Sequence, residues 1–278
     1  MNKSMPFAFI WPKGLLALVA VSMLSGTALA QDADEHDTAE LAKKLSNPVA
    51  ALISVPFQLN TDFNIGPEDG TRTSLVMQPV IPASINEDWN LITRIVAPLV
   101  TQNDVAGKSG TQSGLGDTTP SFFFSPKAPT ASGLIWGLGP VFLLPTATDD
   151  RLGGEKWGLG PTGVLLKQTP DGWTYGILAN HIWSVGGNSN RADISNTYLQ
   201  PFLTKAVGHG GTWFLNSESS YDWKTQKWTA PFNFGYAQIM KWGSQLVQVK
   251  AGVRGYATTP GQGPDWGVRL ELDLLYPK

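Results

Sequence analysis

DWGVRLELDLLY, Asp265 to Tyr276, alternates at period two along its length, as a strand does when its two faces meet different surroundings. One face carries Trp266, Val268, Leu270, Leu272, Leu274 and Tyr276; the other carries Asp265, Gly267, Arg269, Glu271, Asp273 and Leu275. The apolar face begins and ends in an aromatic. Those two rings stand ten residues apart, which at roughly 3.3 Å per residue and a tilt near 40° separates them by about 25 Å along the membrane normal, the height of the apolar band on an outer-membrane barrel. The expected strand faces lipid on one side and a polar interior on the other.

Composition and the N-terminus fit that setting. Gly 30, Pro 20 and Trp 11 make a turn-rich, aromatic-rich mixture with only 15% charged residues, where soluble domains carry about a quarter. Lys3 and Lys13 precede an apolar run from Leu15 to Leu24 that leads to Ala28-Leu29-Ala30, the pattern of a signal peptide over 1–30 cut before Gln31. Ten apolar residues are too few for a retained anchor across about 30 Å of hydrocarbon. Cleavage removes two lysines and no acids, moving the formal charge from −2 to −4, so no basic patch invites nucleic acid. With Cys 0, disulfides, thiol chemistry and a lipidated N-terminal cysteine are excluded. No later stretch approaches roughly 18 apolar residues, so a membrane crossing requires a closed β-barrel, the other structure that pairs every backbone group in lipid.

The mature chain is expected to divide into an N-terminal segment, 31–49, and an all-β, antiparallel up-and-down transmembrane barrel, 50–278. QDADEHDT, residues 31–38, is acidic and without pattern and reads as mobile. Asp37 can cap a short helix with Glu40 in the capping-box position, running through Leu41, Ala42 and Leu45 to a stop at Asn47-Pro48. That helix is expected to pack under the barrel; a plug inside the lumen is the alternative. Twelve alternating segments follow, at 50–65, 71–84, 88–102, 114–125, 131–146, 156–168, 173–185, 194–206, 211–223, 225–240, 245–257 and 264–276. Short connections, such as Ile85-Asn86-Glu87 and Thr169-Pro170-Asp171-Gly172, alternate with longer polar ones at 102–114, 149–156 and 185–193, as periplasmic turns alternate with extracellular loops. Lys224 departs from this rule with a short connection where a long one is due. Pro79, Pro98, Pro140 and Pro201 fall inside expected strands, where each removes a ladder donor and implies a bulge or bend.

The aromatic spacing recurs. Trp173 and Trp183 bracket the seventh segment and Trp213 and Trp223 the ninth, so with Trp89, Trp266 and Tyr276 they form the expected girdles. Opposite these faces lie the expected lumen residues Arg94, Glu218, Asp222, Lys250, Arg254, Arg269, Glu271 and Asp273. Such charges should pair with one another or with water, because an unpaired charge in a narrow lumen is costly. They read as a stabilising network or as a polar path with a ligand site.

Catalysis finds little support. Of His36, His181 and His209, only His181 lies inside an expected strand. A barrel phospholipase would need a serine beside it on the same face, yet the nearest in sequence, Ser184, is three residues away and points oppositely. A partner from a neighbouring strand stays open. Asp149-Asp150 is too small a set for Ca²⁺, and the glycine runs lack the helix a phosphate cradle needs. No catalytic residue, metal or cofactor is expected.

ELAKKLSNPVAALISVPFQ from Glu40, NEDWNLITR from Asn86, SFFFSPK from Ser121, GPVFLLPTATDD from Gly139, EKWGLGPTGVLLKQ from Glu155, WTYGILANHIWS from Trp173 and ESSYDWK from Glu218 run over almost the whole mature chain. In these stretches it resembles the outer-membrane family labelled for the phenol meta-degradation pathway and described as transporters. The resemblance implies a barrel and uptake of small aromatic or hydrophobic compounds, and it brings no catalytic residues. The expectation is an outer-membrane channel or transporter for small molecules, exported through a cleaved signal peptide. A phospholipase-like hydrolase and a non-transporting structural or receptor barrel are the alternatives. Its expected partners are outer-membrane lipid and a small-molecule permeant, with the permeant and the oligomeric state left open.

Overall fold

Alternating side chains give the strands an outer face and an inner face, and the computed structural model, which describes residues 35–276, closes that pattern into a barrel. The strands are β1 (Ile53–Ile65), β2 (Gly70–Met77), β3 (Val80–Ser84), β4 (Trp89–Asn103), β5 (Thr111–Leu115), β6 (Thr119–Pro126), β7 (Leu134–Leu143), β8 (Lys156–Gln168), β9 (Trp173–Gly187), β10 (Ser195–Val207), β11 (Gly211–Ser217), β12 (Ser219–Asp222), β13 (Lys227–Trp242), β14 (Gln245–Thr258) and β15 (Trp266–Tyr276). Three pairs, β2/β3, β5/β6 and β11/β12, are each one interrupted stave, which leaves the twelve expected. All neighbours are antiparallel, and β15 closes the ring on β1, from Ile53↔Tyr276 to Phe63↔Trp266. Among the described residues no helix is long and apolar enough to cross a membrane.

The prolines account for the interruptions. Pro79 ends the β2 ladder, and β3 resumes against β4 in the same register, Met77↔Ala97 giving way to Val80↔Arg94. Opposite Ala97-Pro98, Gly116-Asp117-Thr118 bulge between β5 and β6, an extra residue of the kind that bends a strand. Glu218 faces Pro231, since Ser217 pairs with Phe232 and Ser220 with Thr229. Pro140 meets Pro161 across β7–β8, and the β8–β9 ladder skips Gly160 and Pro161. There the wall is drawn so close that a Cβ on Gly160 would lie 1.6 Å from the His181 carbonyl oxygen.

Both ends of the barrel segment sit at one rim, the terminal mouth, where the short turns also lie; the opposite rim is the loop mouth. Strands reach further into the loops than expected, so 102–114 reduces to a hairpin between Asn103 and Thr111. Lys224 sits in a tight turn held by Asp222, whose carboxylate accepts from the Lys224 N–H and the Thr225 hydroxyl, each at 2.8 Å.

The helix differs from expectation in extent and surroundings. It is α1 (Glu35–Leu45), so Asp37 and Glu40 lie inside it rather than forming its cap, and Glu40 pairs with Lys44 at 2.8 Å. It ends where Pro48 has no N–H to offer and Asn47 Oδ1 accepts from the Val49 N–H at 3.0 Å. Leu41 and Ala42 are buried with Leu52, Ile239 and Leu275 at the terminal mouth, and the Gln168 amide donates to the Lys43 carbonyl at 2.7 Å. The chain then turns inward: Val49 packs among Ile92, Phe123, Val164, Leu166 and Leu178 inside the barrel. The helix therefore lies at the mouth while the residues after it enter the lumen. The expected signal peptide, 1–30, lies outside the described residues.

Candidate functional site

Register brings the inner charges together. Asn60 pairs with Arg269 and Gln58 with Glu271 across β1–β15, while Lys250 pairs with Glu271 and Gln248 with Asp273 across β14–β15. Side chains of paired residues share a face, so the alternation read at 265–276 continues sideways through three strands. Arg269, 2% exposed, grips Glu218 with two guanidinium nitrogens at 2.9 and 2.6 Å and donates from Nε to Asn60 Oδ1 at 2.8 Å. This forked geometry is the strong form of a carboxylate pair. Arg254 stands 4.0 Å from the same Glu218 and 3.5 Å from Asp62. Nearer the terminal mouth, Lys250 Nζ lies 2.6 Å from Glu271 and 2.9 Å from Asp273.

Arg94 comes from the facing wall on β4 and donates to the Gln78 side-chain oxygen at 2.6 Å. Seven of the eight charges expected in the lumen thus line two cavities inside the barrel, and the eighth, Asp222, serves the turn at the rim. Asp62, Gln58, Asn60 and Gln78 belong to this set and were not singled out in the sequence. Their signal was present as the polar alternation Gln58, Asn60, Asp62 on β1, opposite Phe57, Leu59 and Thr61.

The cavity toward the loop mouth holds about 500 Å³ and mixes Asn60, Asp62, Arg94, Glu218 and Arg254 with Val76, Val96, Leu143, Ile182 and Tyr198. The inner cavity, about 210 Å³, is walled at the terminal mouth by Lys44 to Pro48 and by Ala50 and Leu52. Gln58, Gln78, Arg94 and Glu218 line both, so they form the neck between them.

On the outer surface, Trp173, Trp183, Trp213, Trp223, Trp266 and Tyr276 are all exposed, and Trp89 is half-buried edge-to-face with Trp136 at 5.7 Å between centroids. Trp89, Trp173, Trp213 and Tyr276 fall at the terminal-mouth ends of their strands; Trp183, Trp223 and Trp266 fall at the loop-mouth ends. His181 lies between these levels, and β10 supplies the partners that β9 does not. Its Nδ1 is 2.7 Å from Thr197 Oγ1 and its Nε2 is 3.3 Å from Ser195 Oγ, while the Trp223 indole donates to the same Thr197 oxygen at 2.8 Å. Asp193, the nearby loop acid, is engaged elsewhere, by Lys156 at 3.1 Å and Ser184 at 3.3 Å. The Lys156 hydrogen bond and charge hold its carboxyl below the ordinary range.

No protein-family model matches this sequence, and no curated protein matches it. Among solved structures, an outer membrane channel from Pseudomonas putida F1 superposes with a TM-score of 0.60 at 16% identity, covering 81% of this chain and 94% of that one. Outer membrane phospholipase A from Escherichia coli matches with a TM-score of 0.44 at 11% identity, over 80% of this chain and 92% of that one. A BenF-like porin from Pseudomonas fluorescens Pf-5 matches with a TM-score of 0.24 at 8% identity, over 81% and 98%. The first of these likenesses shows the fold, a β-barrel like that of the outer membrane channel.

Proposed function

We propose that this chain is an outer-membrane channel for small molecules, with its loop mouth outside the cell and its terminal mouth in the periplasm. The observation that carries this reading is the pair of cavities inside the barrel that share Gln58, Gln78, Arg94 and Glu218, the inner of them walled at the terminal mouth by the segment around Val49. The fold likeness to an outer membrane channel and the resemblance to transporters labelled for the phenol meta-degradation pathway point the same way. A barrel of twelve staves is wider than those filled wholly by side chains and narrower than open porins. Export through a cleaved signal peptide over 1–30 belongs to the same proposal, and mass spectrometry of the mature N-terminus tests it. Flux of small solutes into liposomes tests the channel. The full mature chain should pass them slowly and a chain lacking 31–49 faster; silence from both removes the proposal.

The His181–Ser195 contact favours a second reading, acyl-ester hydrolysis on the lipid-facing wall. Thr197 stands at Nδ1 in the place of the carboxylate that orients the histidine of a catalytic triad. Labelling of Ser195 by a fluorophosphonate, lost in His181→Ala, would support hydrolysis; an unlabelled protein would remove it.

A further inference from the structure

The acids around the neck leave one of its guanidiniums without a carboxylate. Arg269 and Arg254 divide Glu218 and Asp62 between them. Arg94 is within ion-pair distance of no carboxylate among the described residues, and its hydrogen-bond partner is the neutral Gln78 amide. The register explains why: its neighbours across the two adjacent ladders are Val80 on β3 and Ser121 on β6, and neither carries charge. Glu218, the nearest acid in the neck, already has both oxygens on Arg269. The cavity above the neck carries Arg94 and Arg254 with Asp62 and Glu218, and because Arg269 holds Glu218 from the inner cavity, Arg94 is left without a carboxylate. A guanidinium presents five donors in a planar fork, and most of those on Arg94 are uncommitted.

We propose that Arg94 is the recognition site for a small organic anion, specifically a carboxylate carried on a single ring or a compact branched body. This rests on the channel reading and names its substrate class. The carboxylate would take the fork of Arg94 at the neck, and the apolar body would lie against Val76, Val96, Leu143 and Ile182 in the cavity of about 500 Å³. A site of that size holds a small molecule with a few directing polar groups on an apolar lining. A bound carboxylate would supply Arg94 with the charged acceptor that Gln78 is not, so the anion gains where its neutral isostere does not.

Equilibrium binding of benzoate and benzamide to the full mature chain in detergent, measured by calorimetry, tests this without relying on flux. Benzoate should bind at least about tenfold tighter than benzamide, the gain expected of a charge-assisted pair. Arg94→Gln should abolish the preference. Ser121→Asp sets a carboxylate beside Arg94 and should abolish it while keeping the arginine, so the pair of variants covers a folding failure in either. Equal affinity for the two ligands, absence of benzoate binding, or a preference unchanged in these variants overturns the proposal. A protein that binds benzoate through Arg94 yet conducts nothing keeps the site and loses the channel.

Discussion

The two halves of the barrel interior are built on different physics. The wall of β14, β15 and β1 turns Lys250, Arg254, Arg269, Glu271, Asp273 and Asp62 inward, whereas the wall of β4, β6, β8 and β9 turns Ile92, Phe123, Val164, Leu166 and Leu178 inward around Val49. The apolar half gains from removal of side chains from water, about 1.5–3 kcal/mol for each large one, and tolerates imprecision. The charged half gains only if its partners are all present, because each ion has lost most of its water. The difference teaches where the molecule is plastic: the apolar wall can seat an incoming chain segment by shape alone, while the charged wall is fixed by its own pairs and leaves open space beside them.

Glu218→Ala should be the most damaging single change. It strands the Arg269 fork and loosens Arg254, for a loss of about 3–5 kcal/mol readable as a lowered urea midpoint in micelles. Replacing both partners, Glu218→Gln with Arg269→Met, should recover most of that loss; if the double variant is as unstable as the single, the charged half is not governed by pairing. Leu178→Ala, in the centre of the apolar half, should cost roughly 2–4 kcal/mol and leave benzoate binding unchanged. A larger effect there than at Glu218 would invert the comparison.

Val49→Ala asks which half seats the N-terminal segment. Loss of about 1–2 kcal/mol, with faster solute entry in swelling assays, is expected if the apolar wall holds it; unchanged stability and flux would assign the grip to α1 alone. The smallest effect concerns Lys156, a buried lysine at the loop-mouth end of the apolar half, whose partner Asp193 is exposed. Because the Asp193 carboxyl is held below its ordinary value of 3.8, its stabilising contribution is complete above that value and is lost as pH falls through the depressed one. Amide protection factors in 188–194, taken against the intrinsic exchange rate at each pH, should therefore fall between pH 5 and about 2, with no matching change in Lys156→Met.

Much of this was legible along the chain. Period-two alternation at 265–276 separated the outer face from the inner face, and the ten-residue spacing placed Trp266 and Tyr276 at opposite ends of β15. Strand number followed from turn chemistry, since Gly, Pro, Asn and Asp punctuate the segments. The prolines were legible as ladder defects but not as partners: that Pro140 meets Pro161, or that Glu218 faces Pro231, depends on register between strands. His181 shows the same limit. Parity along β9 excluded Ser184, while Ser195 arrived from β10 because Ser195 pairs with Trp183 and Thr197 with His181.

The sequence by itself determined which residues face inward, because side-chain direction in a strand is a local property of the backbone with a period of two. It could not determine which inward charges meet. Pairing among Arg94, Glu218, Arg254 and Arg269 is settled by closure of the ring and by distance across a lumen, and these join residues as far apart in the chain as Asn60 and Arg269. Only the tertiary structure decided that Glu218 belongs to Arg269, that Val49 lies inside the wall, and that Arg94 remains with an amide.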